Sequence, residues 1–184
     1  MRALLLGLAA AALIAPAAQA RPYAVDKSAS RLGFTAAMNG EAFQGSFRRW
    51  DAAIDFDPAN LKASRATVTV DMASASTGDG GRDEALPSGD WFAAKRHPKA
   101  TFVSRAITRT GPNRYAAAGD LTIRGVKRPV VLPFTLAIAG NTAKMNGRLV
   151  LDRTTFGVGQ GQWRTGAAVA TQVTVNVAVT AVAR

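Results

Sequence analysis

The sequence predicts an all-β protein with one domain, built as a sandwich or a barrel of about eight antiparallel strands with a short helical insert near residues 80–94. Three observations predict this class: apolar residues alternate with polar ones through most of the chain, short turns separate the alternating segments, and one polar, aromatic segment interrupts them. Alternation is typical of strands with one buried face, and many such strands joined by turns are typical of sandwiches and barrels.

The first half of the chain holds three alternating segments. Apolar residues recur at every second position within residues 32–38, 50–56 and 66–72. The sequence Asp57-Pro58-Ala59-Asn60 follows the second segment, and turns prefer these residue types because they set or tolerate the required backbone angles. Each segment is therefore predicted to be a strand that turns its apolar side toward a core.

The second half holds four more alternating segments, at residues 115–123, 130–138, 145–151 and 173–179. The turn Gly111-Pro112-Asn113 precedes the first of them, and Gly140-Asn141 joins the next two. The last segment is the most regular, because valine fills four alternate positions between polar residues. Periodicity alone does not choose between a sandwich and a barrel. A closed barrel is favoured for such long strands, because exposed strand edges promote aggregation.

The interrupting segment is predicted to form the helical insert. Asp79 is placed to cap a short helix whose first turn carries Asp83 and Glu84, and Pro87 should end that helix. The aromatic pair Trp91-Phe92 follows. Two large aromatic side chains left in water would cost several kcal/mol of apolar exposure, so we expect them to pack at the mouth of the barrel.

The first twenty residues read as a signal peptide that precedes the domain at residues 21–184. Arg2 supplies the positive start, Ala3 to Ala15 form an uncharged apolar run, and Ala18-Gln19-Ala20 is a typical cleavage site. The alternative is an uncleaved N-terminal anchor. We expect export to the periplasm, and no later segment is apolar and long enough for a spanning helix, so the mature protein should be soluble.

The chain is strongly basic, with a formal net charge of +11 and no cysteine. Disulfides and thiol chemistry are therefore excluded. A basic chain favours anionic partners, and export leaves an anionic membrane surface or a lipid phosphate rather than nucleic acid. The alternative is a charged surface that serves only solubility. The protein is expected to be a monomer or a homodimer.

Several motifs, in a fixed order, resemble one known family. The segments 77–83, 97–102 and 119–130 carry Thr-Gly followed by Arg-Asp, His-Pro followed by Thr-Phe, and Leu-Thr-Ile-Arg-Gly. Matches at residues 23–26 and 156–159 extend the likeness over nearly all of residues 22–184. The chain resembles the YceI-like family of periplasmic, lipocalin-like, polyisoprenoid-binding proteins. The resemblance implies an extended antiparallel, lipocalin-like β-barrel that encloses an apolar tunnel for an isoprenoid or similar alkyl chain.

The chain departs from the family pattern within the insert. The family often has two phenylalanines followed by aspartate where this chain has Trp91-Phe92-Ala93, and Leu-Arg-Ser where it has Leu86-Pro87-Ser88. Tryptophan is larger than phenylalanine, so a narrower tunnel mouth is expected here. This difference bears on the length and the identity of the ligand and not on the fold.

The resemblance and the strand parity together predict the residues that line the tunnel. Small residues at inward positions, such as Ala36, Ala52, Ala66, Ala117, Gly119 and Gly147, should leave volume among the larger ones. The alternative is an ordinary packed core in which large and small residues alternate. Trp91 and Phe92 are expected to gate the mouth, and with them the predicted ligand-binding set is Phe34, Phe56, Trp91, Phe92, Phe102, Leu121, Phe134 and Phe156.

A phosphate or pyrophosphate head group would need cations near the mouth. Arg124, Lys127 and Arg128 lie on one predicted turn, and a second cluster of Lys95, Arg96 and Lys99 follows the insert. Either cluster is suited to an anionic group. The alternative is that these are solvated loop charges with little energetic effect.

No enzyme, cofactor or metal site is predicted. His97 is the single histidine of the chain, and the sequence lacks the motifs that mark nucleophilic, zinc or P-loop chemistry. We expect a carrier, store or scavenger of a polyisoprenoid or isoprenoid-quinone-like chain. The alternatives are a lipid-modifying hydrolase that uses His97, and a ligand-free stress-response or interaction module with a solidly packed barrel.

Overall fold

The computed structural model describes residues 20–184, so nearly all of the predicted signal peptide lies outside the described residues. Strands make up most of the described chain. One α-helix, α1, spans Gly80–Ala85, and three short 3-10 helices span Met72–Ser74, Arg153–Phe156 and Gly161–Trp163. The strands are β1 Arg21–Val25, β2 Arg31–Met38, β3 Glu41–Phe47, β4 Trp50–Phe56, β5 Arg65–Asp71, β6 Ala75–Ser76, β7 Lys99–Gly111, β8 Arg114–Ile123, β9 Val126–Ala139, β10 Thr142–Asp152 and β11 Gln172–Ala183.

Eight of these strands close an antiparallel barrel, which confirms the predicted architecture. The order around the ring is β1, β4, β5, β7, β8, β9, β10 and β11, and β1 completes it by pairing with both β4 and β11. The remaining three strands extend the sheet from β11 through β2 and β3 to β6. The 12-residue β11 is long enough to hold β1 near its C-terminal end and β2 near its N-terminal end.

Tight turns set the register of the hairpins. Asn39–Gly40 joins β2 to β3 and Arg124–Gly125 joins β8 to β9, and all four residues have positive φ. Two-residue hairpin turns of this kind match the right-handed twist of the strands, and asparagine and glycine adopt them at low cost. The predicted turns at Gly111-Pro112-Asn113 and Gly140-Asn141 join β7 to β8 and β9 to β10.

The structure confirms the short helical insert and adds strands that the alternation does not predict. The insert contains the short helix Gly80–Ala85, which ends at Leu86, just before Pro87, as predicted. The rest of the insert consists of turns, and Ala93 adopts a positive φ there. The alternating segments do not include the short strands β1, β3 and β6, nor the 13-residue β7. Two register shifts, between Ser104 and Ala106 and between Arg109 and Gly111, break its alternation.

The core has two hydrophobic clusters, and an internal cavity contacts both. One cluster centres on Phe56, Ile107, Tyr115 and Leu136, and the ring of Tyr115 lies 5.5 Å from that of Phe134. The other contains Leu32, Val70, Met72, Ala94 and Ala100. Within residues 20–184, the helices are too short and too polar for any of them to cross a bilayer.

We predict that Gly119→Ala will destabilise the barrel. A Cβ at this position would lie 2.4 Å from the Val103 carbonyl oxygen and 2.7 Å from the ring of Phe102. The carbonyl belongs to the neighbouring strand and has no freedom to move aside, so the free energy of unfolding should fall by about 1–3 kcal/mol in urea titrations.

The matched control for this variant is Gly80→Ala in α1, where a new Cβ meets nothing within 4 Å. That substitution should raise stability by about 0.4–1 kcal/mol, because alanine has less freedom to lose on folding. Equal stability of the two variants would contradict the close approach of β7 to β8 at Gly119.

Candidate ligand-binding cavity

The barrel encloses an apolar cavity of about 610 Å³. Strand parity explains its wall, because successive side chains of a strand point to opposite faces. On β11, for example, Val173, Val175, Val177 and Val179 all line the cavity, while the polar residues between them do not. The volume lies within the roughly 300–1,000 Å³ typical of pockets for small organic ligands.

The structure brings all eight predicted tunnel residues to this wall. Aromatic rings form much of it: the ring of Phe47 lies 5.5 Å from that of Phe34 and 6.0 Å from that of Phe92. Contact of these residues with a ligand stays a prediction. The eight that line the cavity are Phe34, Phe56, Trp91, Phe92, Phe102, Leu121, Phe134 and Phe156.

Small inward residues leave part of this volume open, but not at every predicted position. Ala36, Ala52, Ala66 and Ala117 line the cavity. Gly119 and Gly147 are not among the residues that line it, because neighbouring side chains cover them. The ring of Phe102 covers Gly119, while Leu132 and Met145 cover Gly147. The alanines, and not the glycines, therefore provide the free volume.

Two segments cover one end of the cavity: the insert (residues 77–98) and the closing loop (residues 157–171). Both contribute side chains to the wall, and the rings of Trp91 and Trp163 lie 5.7 Å apart across their junction. The backbone amides of Gly159 and Gln160 donate to the carbonyl of Asp90 at 2.9 and 2.8 Å. The two segments thus form one cap. The predicted gate residues lie within it, with Phe92 packed in the second core cluster.

Arg153 holds the closing loop in place. Its guanidinium is buried and donates to the carbonyl oxygens of the loop residues Val158, Trp163, Val169 and Ala170 at 2.7–3.0 Å, with a longer contact to Thr165. Burial lowers the pKa of Arg153, and the nearby charge of Asp152 acts in the opposite direction. The planar fork of donors in arginine suits several carbonyls at once, which lysine cannot match.

Asp79 and Asp83 hold the insert. The Asp79 carboxylate caps α1 by accepting from the amide of Arg82 at 2.9 Å, as the sequence predicts. The Asp83 carboxylate accepts from the amide and hydroxyl of Thr77 at 2.5 and 2.8 Å and from the hydroxyl of Ser76 at 2.8 Å. These hydrogen bonds, first those from Thr77, lower the pKa of Asp83 to about 2.

The charged residues on the described part of the wall are Asp79, Arg82 and Arg153. Arg82 is the accessible cation among them, because Arg153 is buried against carbonyls. The Arg82 guanidinium lies 4.6 Å from the centre of the Phe43 ring and 3.8 Å from the Asp79 carboxylate. From the sequence, Arg82 is expected to fix the insert by local hydrogen bonds and ion pairing without touching the ligand, and other cations are expected to hold the head group. The sequence signal for its place on the cavity wall is that Arg82 lies in the first turn of the predicted helix.

The predicted head-group residues Arg124, Lys127 and Arg128 lie away from the wall, and so do Lys95, Arg96 and Lys99. Arg124 instead donates to the carbonyls of Gly89 and Trp91, so it anchors the insert. Arg128 donates to the carbonyl of Thr155 at 3.3 Å. Binding of an anionic head group by these residues stays a prediction.

His97 lies beside the β8–β9 turn and outside the cavity wall. Its ring is next to Gly125, where an added Cβ would come within 3.1 Å of the imidazole. In the described chain its side chain makes no hydrogen bond, and residues 20–184 contain no cluster of three or more acidic, histidine or cysteine side chains suited to a metal ion. The His97 ring therefore packs against the β8–β9 turn.

A closed antiparallel barrel around an apolar cavity defines the class of small β-barrel proteins with an internal ligand-sized pocket. A YceI-like domain matches residues 23–181. The chain is 33% identical over 162 residues to a UPF0312 protein of Pseudomonas savastanoi, covering 83% of this chain and 84% of that protein. The chain therefore belongs to the YceI-like family, which confirms the resemblance.

Solved structures show the same fold. BcnA of Burkholderia cenocepacia superposes with a TM-score of 0.83 at 35% identity, covering 85% of this chain and 99% of that one. A polyisoprenoid binding domain from Saccharophagus degradans, implicated in plant cell wall breakdown, superposes with a TM-score of 0.69 at 14% identity and covers 89% of this chain and 99% of that one. At that identity the second likeness shows the fold alone.

We predict that Arg153→Met will strongly destabilise the protein. The methionine fills similar space but leaves the loop carbonyls without donors, and hydrogen bonds to a charged group contribute about 1.5–3 kcal/mol each. The free energy of unfolding in urea should fall by about 3 kcal/mol or more. Arg148→Met on the same strand is the control, because Arg148 is exposed and unpaired in the described chain, and its loss should cost less than about 0.5 kcal/mol. Similar losses in both variants would contradict the anchoring role.

We also predict that Asp83 makes the fold sensitive to acid. Its folded pKa is lowered from the ordinary 3.8 to about 2, so its stabilising contribution is complete above pH 3.8 and is lost as the pH falls toward 2. In urea titrations between these pH values, Asp83→Asn should lose less stability on acidification than the wild type does. Glu84→Gln, at the next position of α1, should keep the wild-type pH dependence. An unchanged pH profile in Asp83→Asn would contradict this assignment.

Proposed function

We propose that this protein is an exported lipid-binding protein that holds a polyisoprenoid or isoprenoid-quinone-like chain in its barrel for transport, storage or sequestration. The observation that carries the proposal is the cavity of about 610 Å³ with an almost wholly apolar wall. The name of the related-fold domain of Saccharophagus degradans supports an isoprenoid as the ligand class. The leader pattern in residues 1–20 supports a periplasmic location.

The energetics of the cavity favour an oily ligand. Unfilled apolar volume leaves the lining atoms without contacts on one side, and a hydrocarbon chain restores those contacts. Each buried methylene contributes about 0.8 kcal/mol, so a chain that buries ten of them gains about 8 kcal/mol. Association costs offset a part of this gain. The wall reaches both core clusters, so it offers a long chain continuous contact along the barrel.

The polar end of the ligand is proposed to lie beside α1. Arg82 is the partly exposed cation of the wall, and Asp79 is the carboxylate next to it. A guanidinium donates to phosphate, hydroxyl or carbonyl oxygens, which are the polar groups that such lipids carry. This placement leaves the hydrocarbon chain to the apolar remainder of the wall.

Binding explains the site better than catalysis does. General acid–base chemistry needs a positioned proton carrier within hydrogen-bond reach of the reacting group. The described wall offers Asp79, which already caps α1, and Tyr23, which packs against the first core cluster, and His97 lies elsewhere. We therefore propose a non-enzymatic role for the protein.

We predict that Ala52→Phe will weaken lipid binding. Ala52 lines the cavity, and a ring placed there occupies volume that the chain needs. Exclusion of only two methylenes at about 0.8 kcal/mol each lowers affinity by more than about tenfold. Native mass spectrometry of protein mixed with a solubilised prenyl phosphate and with a prenyl quinone measures the loss, and it also reports any lipid that copurifies.

The matched control for Ala52→Phe is Ala53→Phe, one residue along on the outer face of the same strand. It introduces the same side chain without entering the cavity and should bind as the wild type does. Wild-type protein that carries no lipid and takes up neither compound would overturn the proposed function. An equal loss of lipid affinity in both variants would place the ligand outside the barrel.

A further inference from the structure

One section of the barrel wall has no ladder between its strands. β9 and β10 pair from their hairpin only as far as Phe134 and Gly147, although both strands continue beyond that point. The seam between them runs along residues 126–133 of β9 and 148–152 of β10. Adjacent strands of a closed barrel normally share hydrogen bonds along their length, so the seam needs an explanation.

Two prolines explain the seam. Ile123 pairs with Val126 across a two-residue turn, so the even-numbered amides of β9 face β8 and the odd-numbered ones face β10. Pro129 and Pro133 occupy odd positions and have no amide hydrogen. They remove the donors that β10 would need, as prolines do at the free side of an edge strand. The seam is therefore set by the sequence.

The outer surface around the seam is unusually apolar. Val131 on β9 is 55% exposed and Val150 on β10 is 57% exposed, and both lie on the strand segments that border the seam. Val103 on β7 is 45% exposed. The exposed prolines of β9 complete this surface, which we name the valine face: Val103, Pro129, Val131, Pro133 and Val150. Exposed apolar patches of this kind mark interaction sites.

Cations border the valine face. An outer groove of about 740 Å³ contains Pro133 together with Arg31, Arg114 and Arg148, and no carboxylate is among the described residues that line it. Arg114 and Arg148 make no ion pair or hydrogen bond with any residue in the 20–184 range. Asp120 lies between Val103 and Pro129 in the strand register, and its carboxylate is 3.7 Å from the Arg105 guanidinium. The Asp152 carboxylate, at the end of β10, caps the turn at Thr154. The surface is thus apolar with a positive margin.

We propose that the valine face docks on an anionic lipid bilayer. Exposed apolar side chains with flanking arginines are the composition that binds such an interface. The seam specifies a lipid surface as the partner, because the side chains directly behind it, Leu132, Leu149 and Leu151, line the lipid cavity. The two strands can separate there without breaking any ladder hydrogen bond. The proposal rests on the proposed lipid-binding function.

The test measures flotation of the purified protein with vesicles of phosphatidylglycerol and phosphatidylethanolamine, and with vesicles of phosphatidylcholine alone. The wild type should bind the anionic vesicles, and added salt should weaken the binding. The double variant Val131→Asp and Val150→Asp should lower the bound fraction about tenfold. The control, Val182→Asp, changes a valine that is 43% exposed at the end of β11 and should bind as the wild type does.

A second readout separates this proposal from the proposed function. Uptake of a prenyl lipid from detergent solution should be the same in the double variant and the wild type, while uptake from anionic vesicles should be slower in the variant. Wild-type levels of flotation in the double variant would overturn the docking face. Failure of the wild type to bind anionic vesicles would overturn it in favour of a protein partner, and failure of uptake from detergent would instead count against lipid binding itself.

Discussion

Closure of the ring by β11 is the constraint on which the rest of the structure depends. This strand pairs with β10 over eleven residues and still holds β1 and β2 on its other side. The backbone of the wall is therefore satisfied largely by neighbouring strands, and the fold does not rely on a filled interior to bury unpaired amides. Because hydrogen bonds hold the wall, alanines such as Ala52 and Ala66 can leave volume inside it.

At the covered end of the barrel, the backbone polar groups are satisfied in a different way. The insert and the closing loop contain few backbone ladders, so side chains must satisfy their carbonyls and amides. Arg153 supplies donors to the loop, Arg124 supplies donors to the insert, and Asp83 accepts from the segment that leads into α1. A buried arginine surrounded by carbonyls, without a carboxylate partner in hydrogen-bond contact, keeps its charge spread over several dipoles. The charges of the cap are thus mainly structural, and Arg82, which is partly exposed, lines the cavity together with Asp79 and the buried Arg153.

The sequence predicts the strands wherever parity is regular, as from Val173 to Val179. The eight residues that it predicts for the tunnel line the cavity wall, and the predicted inward positions Gly119 and Gly147 do not. The prediction fails where the backbone departs from a simple period. The register shifts in β7 move its inward positions, so periodicity misses a 13-residue strand. The Asn39-Gly40 turn is a strong hairpin indication that would have located β3. The sequence does not predict that the Arg124 side chain points toward the insert, because the positive φ at Arg124 and at Gly125 is a property of the formed turn.

The two prolines of β9 connect the closed ring to the lipid-binding role. A barrel that is sealed by hydrogen bonds on every side admits a long chain only through its ends, and here the cap covers one end while Tyr115 and Phe56 pack in the opposite core cluster. Prolines four residues apart on a strand face the same neighbour, so Pro129 and Pro133 remove donors along one line and leave the β8 ladder intact. The wall thereby lacks ladder hydrogen bonds between β9 and β10 along the seam. In the proposed entry of a hydrocarbon chain, separation of the two strands would cost packing between Leu132, Leu149 and their neighbours, and the chain would replace that packing with contacts of the same kind.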